Sequence, residues 1–295
     1  MLRKTFTKPF FLLSFIIFSF SAEATTYYVS NSGNDNNSGT SASSPWQTIN
    51  KVNSFKKFSP GDNILFNRGN TFYGSITVSN SGSSGNPITF GAYGSGANPI
   101  ITGFTNVTSW TNLGGNIWES TNAVSSLATC NMVSVNGINT AMGRYPNTGY
   151  LPFQSFNGNS SITSSSLNGS PNWTGASIAI RKNRWYIEPG VITSQSGSTI
   201  YYTDGKLYTP IAGWGFFIQN DARTLDVQNE WYYNPSTKKL RIYSVSTPSN
   251  VQIATVQSLF TAPRAGAYIS INNLSFTGSN LITIDFSSSS YVSVQ

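Results

Sequence analysis

Histidine is absent from the 295 residues. That excludes a Ser-His-Asp triad, a histidine general acid or base, and any histidine-held metal within this stretch. Cysteine occurs once, at Cys130, so no disulfide can form within the chain and stability must come from a packed core. Charged residues are scarce, at 9% of the sequence, and nothing resembles the clustered basic footprint of a nucleic-acid binder. Long apolar runs are missing except at residues 10–20 (FFLLSFIIFSF), too short a stretch to span a bilayer. Arg3, Lys4 and Lys8 precede that run and Ala22-Glu23-Ala24 follows it. Residues 1–24 therefore read as a cleaved signal peptide, and the product as secreted or held at the cell surface. Subtracting the leader's three basic residues and one acidic residue from +7 leaves +5. Outside a cell, such a balance favours acidic partners such as uronate-bearing polysaccharides.

What the chain has in quantity is Ser, Asn, Thr and Gly, with many β-branched and aromatic residues, the composition of an all-β protein. Its spacing is more specific. Ile64-Leu65-Phe66, Ile76-Thr77-Val78, Ile88-Thr89-Phe90 and Ile100-Ile101-Thr102 start twelve residues apart, with Gly, Asn, Ser and Pro turns between them. Near the other end, Tyr268-Ile269-Ser270-Ile271-Asn272 returns as Tyr291-Val292-Ser293-Val294-Gln295, twenty-three residues later. Two short strands per half-turn and a period of about 22 to 24 residues suit a three-faced parallel β-solenoid with alternate residues turned inward. A propeller would repeat at about 40 residues instead.

A solenoid needs a closed beginning, because an open end bares apolar core and strand edges. Ser44 as a cap and Pro45 at the first position predict a short helix, with Ile49, Val52 and Phe55 on one face. Four phrases lie around this plug: Tyr27-Tyr28-Val29-Ser30, residues 33–40 (GNDNNSGT), Ser44-Pro45-Trp46-Gln47-Thr48-Ile49 and Ser59-Pro60-Gly61-Asp62. Together they resemble the N-terminal signature of secreted bacterial right-handed parallel β-helix proteins of the pectate-lyase-like superfamily. That group holds polysaccharide lyases and glycoside hydrolases. The resemblance covers residues 27 to about 103 closely and 258–295 by pattern. It implies a right-handed β-helix and a carbohydrate-active protein, without specifying the reaction.

The repeat lapses after Phe104 and resumes near Leu259. Residues 173–187 predict two strands around a basic turn, and 230–243 a hairpin across Asn234-Pro235-Ser236-Thr237. The expected layout is a leader at 1–24, cap and first rungs at 25–104, a mainly β, sandwich-like insert at 105–257, and resumed rungs at 258–295. Phrases at 143–147 and 217–226 are similar to inserts of β-helix glycosidase-like proteins. Those inserts end in Gly-Glu-Trp-Tyr, and here Asn229 stands in the glycine's place.

Glycosidases need paired carboxylates, whereas uronate lyases need a cation such as Ca2+ and a Lys or Arg base. Asp221, Asp226 and Glu230 form the one local acidic cluster, readable as a carboxylate pair or as a loop stem. Asp285 alternates out of the core on a late rung, where the resemblance puts substrate grooves, but has no visible partner. Asp35, among asparagines, is the candidate Ca2+ ligand, against an Asx-turn reading. Arg181, Lys182 and Arg184 beside Trp185 could hold an acidic sugar or form a solvated hairpin tip. The expected function is a polysaccharide lyase or glycoside hydrolase whose catalytic rungs lie beyond residue 295. The rival reading is a non-catalytic surface adhesin or glycan-binding protein.

Overall fold

Alternation builds the strands. In Asn63–Asn67, Ile64 and Phe66 are buried while Asn63, Leu65 and Asn67 are half-exposed, the pleat of a sheet with one face on a core. A computed structural model describes residues 23–262, 267–287 and 289–295. All but the last two residues of the expected leader lie outside them. The described chain is nearly all β, with one α-helix, Ile49–Ser54, and one 3-10 turn, Ala222–Thr224. No helix among the described residues is long and apolar enough to cross a membrane.

Eleven strands form three wholly parallel sheets, and the other sixteen lie in antiparallel sheets. The first parallel sheet stacks Thr26–Val29, Asn63–Asn67, Ile88–Tyr93, Ile269–Ile271 and Val292–Val294. The second stacks Thr71–Tyr73, Ile100–Thr102 and Ser275–Thr277. The third stacks Ile76–Thr77, Val256–Thr261 and Ser279–Asp285. Successive strands thus visit sheets one, two and three in turn, and their inward residues form one core that includes Ile64, Ile76, Ile88, Ile101, Phe260 and Ile269. The twenty-three-residue repeat is a true register: Ile269 pairs with Val292, and the Tyr268 and Tyr291 rings stack at 4.3 Å.

The twelve-residue spacing locates four real strands but misassigns their pattern. Each coil holds three strands, and Ile64 and Ile88 share sheet one while Ile76 lies in sheet three and Ile100 in sheet two. Pairing of Asn63 with Thr89 makes the first coil 26 residues long. The triplets omit Thr71–Tyr73, whose one buried residue, Phe72, gives no alternation to read. In the fourth triplet the inward residue is Ile101, and Ile100 is exposed.

The plug helix forms where expected and buries Ile49 and Val52, but its cap is Thr48 rather than Ser44. The Thr48 hydroxyl accepts from the Lys51 N–H at 3.1 Å. Pro45 and Trp46 instead run beside the first strand, where the Trp46 N–H donates to the Tyr28 carbonyl and Ser30 donates to the Trp46 carbonyl.

Residues 104–254 leave the stack between sheets two and three. Their neck closes where Phe104–Val107 pairs antiparallel with Val251–Ala254 and the Thr255 N–H donates to the Gly103 carbonyl. Gly103 must lack a side chain, because a Cβ there would run into the Gly278 carbonyl of the next coil. The neck sheet (Ile138–Asn139, Val133–Val135, Val251–Ala254, Phe104–Val107) and a second four-stranded sheet share a core of Val133, Ile253, Trp231 and Leu240. An eight-stranded antiparallel sheet has its own core around Ile178, Ile180, Phe216 and Ile218. Two cores, not one, fill this region. The two expected hairpins are present, with Arg181 opposite Ile187 and Trp231 opposite Ile242. Asn229 has φ +69°, a left-handed conformation that Asn tolerates almost as glycine does.

Candidate functional site

The carboxylates singled out from the sequence are largely engaged in holding backbone. Asp35 accepts from the Gln47 and Thr48 N–H groups at 2.8 and 3.0 Å and from the Thr48 hydroxyl at 2.6 Å, so it anchors the helix entrance. Burial pushes its pKa up, but these hydrogen bonds and Lys51 outweigh it and leave the pKa below the ordinary value. Asp35→Asn should therefore cost about 1 kcal/mol, the size of a lost helix cap. Because the folded pKa is depressed, the carboxylate's contribution is complete above about pH 4 and vanishes as pH falls through the lower folded value. Urea unfolding of both proteins between pH 3 and 7 would check this, and equal stabilities at pH 7 would refute it.

Asp221 caps the 3-10 turn and forms a two-point ion pair with Arg223, at 2.6 and 2.8 Å. Burial raises its pKa, yet the hydrogen bonds and charge of Arg223 bring it below the ordinary value. Asp226 is exposed and accepts from the Asn147 amide. Glu230 is buried and accepts from the Asp226 and Val227 N–H groups at 3.2 and 3.1 Å. Burial, with the neighbouring Asp226 charge, pushes its pKa up. Glu230 thus ties a loop, and its carboxylate is enclosed by protein. Asp285 ends the outermost strand of sheet three and accepts from the Ser287 N–H and hydroxyl. Among the described residues no three acidic or cysteine side chains converge as a metal site. Cys130 is buried, which raises its pKa to about 12 and keeps it a thiol.

Lys182 differs most from expectation. It is not at a solvated tip but wholly buried, with its ammonium 2.7 Å from Glu188 and 2.5 Å from Asp204. It cannot reach a ligand. Arg181, Arg184 and Trp185 remain near the surface, and Trp185 is 66% exposed.

The geometry brings together a different set of residues. On the neck sheet Val133, Val135, Val251 and Ile253 turn into the core, so Ser134, Gln252 and Asn106 line the opposite face, paired across three strands. The Gln252 side-chain amide donates to the Asn106 side-chain oxygen Oδ1 at 3.1 Å. Facing them, sheet two presents Thr71, Ile100, Thr102 and Thr277. Between the sheets lies a cleft of about 550 Å3, lined also by Phe104 and Met132. It continues past Asn106 to Asn136 and Asn250, and past Thr71 to Asn31, Gln47 and Tyr73. None of these lining residues is charged. Neutral amides and hydroxyls beside apolar faces can pair with many hydroxyls without desolvating an ion. The three strands that build the cleft face are distant in sequence, so only their pairing reveals it.

No family model matches the chain. The fold is shared with a glycoside hydrolase. That solved structure aligns with 87% of this chain at a TM-score of 0.68 and 15% identity, and the alignment spans 51% of its own length. A lacto-N-biosidase from Bifidobacterium longum subsp. longum is 39% identical over 77 residues, 25% of this chain and 5% of that enzyme. A GH136 lacto-N-biosidase from Eubacterium ramulus is 32% identical over 31% of this chain and 15% of its own, at a TM-score of 0.25. The chain thus spans about half of one similar protein and a small part of the other two.

Proposed function

We propose that this chain supplies the scaffold and a glycan-holding surface of an extracellular carbohydrate-active protein of the glycoside hydrolase kind. The observation that carries the reading is the charge-free cleft between sheet two and the neck sheet, polar on one wall and partly apolar on the other. A neutral oligosaccharide matches it, with hydroxyls for Asn106 and Gln252 and apolar sugar faces for Ile100 and Phe104. Similarity to proteins named as glycoside hydrolase and lacto-N-biosidase supports a carbohydrate-active protein. The three parallel stacks support a β-helix, which we take as the right-handed pectate-lyase type with first coils at 25–104, an insert at 105–257 and resumed coils at 258–295; a leader at 1–24 is proposed from its sequence alone. Export through that leader is part of the same proposal.

No carboxylate lines the cleft, so the paired carboxylates of a hydrolase are proposed to lie on rungs beyond residue 295. The same observation favours a second reading, a non-catalytic glycan-binding protein. Screening the complete secreted protein on neutral and uronate polymers, reading reducing ends and unsaturated products, separates the two. Gln252→Ala should weaken binding of a neutral oligosaccharide by about three- to tenfold, the worth of one or two hydrogen bonds. Titration calorimetry with xylo-, gluco- and galacto-oligosaccharides measures this. Absence of any binding, or an unchanged affinity in the variant, refutes the cleft.

A further inference from the structure

The eight-stranded sheet carries a surface of the opposite electrostatic character. Ile178, Ile180, Phe216 and Ile218 turn into its core, leaving Arg181 and Phe217 on the other face. The Arg181 guanidinium lies 4.1 Å from the centre of the Trp214 ring, and that of Arg144 lies 3.8 Å from Phe217. Between Tyr150, Trp214 and Arg181 is a cleft of about 180 Å3 floored by Pro152, Gly213 and Gly215. The floor is specific to glycine. Gly213 has φ +92°, and a Cβ on Gly215 would stand 2.5 Å from the Tyr150 Cβ. Tyr150 is 40% exposed and Trp214 partly buried, so both rings offer a face or edge to the opening.

The charge here is uncompensated. Among the described residues no carboxylate lies in ion-pair range of Arg144, Arg181 or Arg184. Every carboxylate between residues 105 and 257 is engaged elsewhere, by Lys182, Arg223, Lys239, Arg241, Asn147 or backbone amides. Arg181 donates to the Arg184 carbonyl at 3.1 Å. Stacking on Trp214 fixes the plane of its guanidinium, and a guanidinium held in plane presents paired N–H groups suited to an oxyanion.

We propose that the Tyr150–Trp214–Arg181 cleft is a second glycan site that takes an anionic sugar unit, with the ring against Trp214 or Tyr150 and its carboxylate or sulfate on Arg181. The sugar class rests on the carbohydrate reading above, whereas the preference for an anion rests on the unpaired arginines alone. The test is titration of the full chain with hexagalacturonate, a sulfated carrageenan hexasaccharide and neutral xylohexaose. One or both anionic ligands should bind, more weakly as salt is added, and the pair distinguishes carboxylate from sulfate. Arg181→Gln and Trp214→Ala should each weaken the anionic ligand about tenfold and leave xylohexaose unchanged. Arg181→Gln is decisive, because that half-exposed side chain lies outside the core and touches it only through Trp214. Failure of both anionic ligands to bind, or their unchanged affinity in Arg181→Gln, overturns the site. Loss of xylohexaose binding alone strikes the neutral cleft and leaves this site standing.

Discussion

Replacing Lys182 by methionine should destabilise the eight-stranded region by about 3–5 kcal/mol at neutral pH, because it strips the cation from two buried carboxylates. Lys182, Glu188 and Asp204 have side-chain exposures of 0%, 2% and 0%. Three strand segments bring them together: Arg181 opposite Ile187 sets the hairpin, and Gly190 opposite Asp204 adds the third strand. The ammonium also donates to Asn159 at 3.0 Å, and a Glu188 oxygen accepts from the Leu207 N–H at 3.3 Å. Methionine keeps much of the side-chain volume, so the loss would be electrostatic rather than a cavity. Beside this group, burial and then the Asp204 and Glu188 charges push the Tyr202 pKa upward, which keeps its phenol protonated.

Removing the two carboxylate charges together with the cation is the stronger test. Lys182→Met combined with Glu188→Gln and Asp204→Asn should recover much of the loss. Denaturant unfolding followed by tryptophan fluorescence reads all of this, since Trp173, Trp185 and Trp214 lie in the same region. A loss under about 1 kcal/mol, or no recovery in the triple variant, would sink the account.

Lys182 also marks a limit of reading sequence. Within Arg181-Lys182-Asn183-Arg184 it looks like one more surface charge, and only the later strands that supply Glu188 and Asp204 bury it. Local signals fared better. The hairpin at 231–243 was legible because its turn residues and alternation are contiguous, as was the plug helix, whose buried Ile49 and Val52 fall three apart. Sheet membership was not legible. A spacing of twelve measures chain length between strands, whereas a coil closes only when its third strand, here Val256–Thr261, pairs with Ile76–Thr77 across the whole inserted region. The neutral cleft escaped for the same reason. Asn106, Ser134 and Gln252 are unremarkable polar residues until antiparallel pairing sets them side by side.

Trp46→Ala should cost the parallel stack about 3–5 kcal/mol and make the protein self-associate. Trp46 is 1% exposed and stacks on Tyr27 at 4.8 Å, with Phe55 and Phe58 against its other sides at 5.1 and 6.4 Å. Its indole N–H donates to the Asn37 carbonyl at 3.0 Å, and Gly39, at φ +76°, leaves the room the ring occupies. These contacts bind residues 30–48 to the first strand. Trp46 also pairs through its backbone with Tyr28 and Ser30, so it covers the outer edge of Thr26–Val29 that would otherwise offer unpaired N–H and C=O groups. Alanine empties the aromatic cluster and loosens that cover. Phenylalanine keeps most of the stacking but loses the Asn37 hydrogen bond, so it should cost only about 1–2 kcal/mol and leave the edge covered. Equilibrium unfolding gives the energies, and light scattering at rising concentration gives the association. If alanine destabilised the fold with no concentration-dependent growth, the edge-covering role would be wrong while the packing role survived. If phenylalanine and alanine cost the same, the stacking itself would not be what holds this cap.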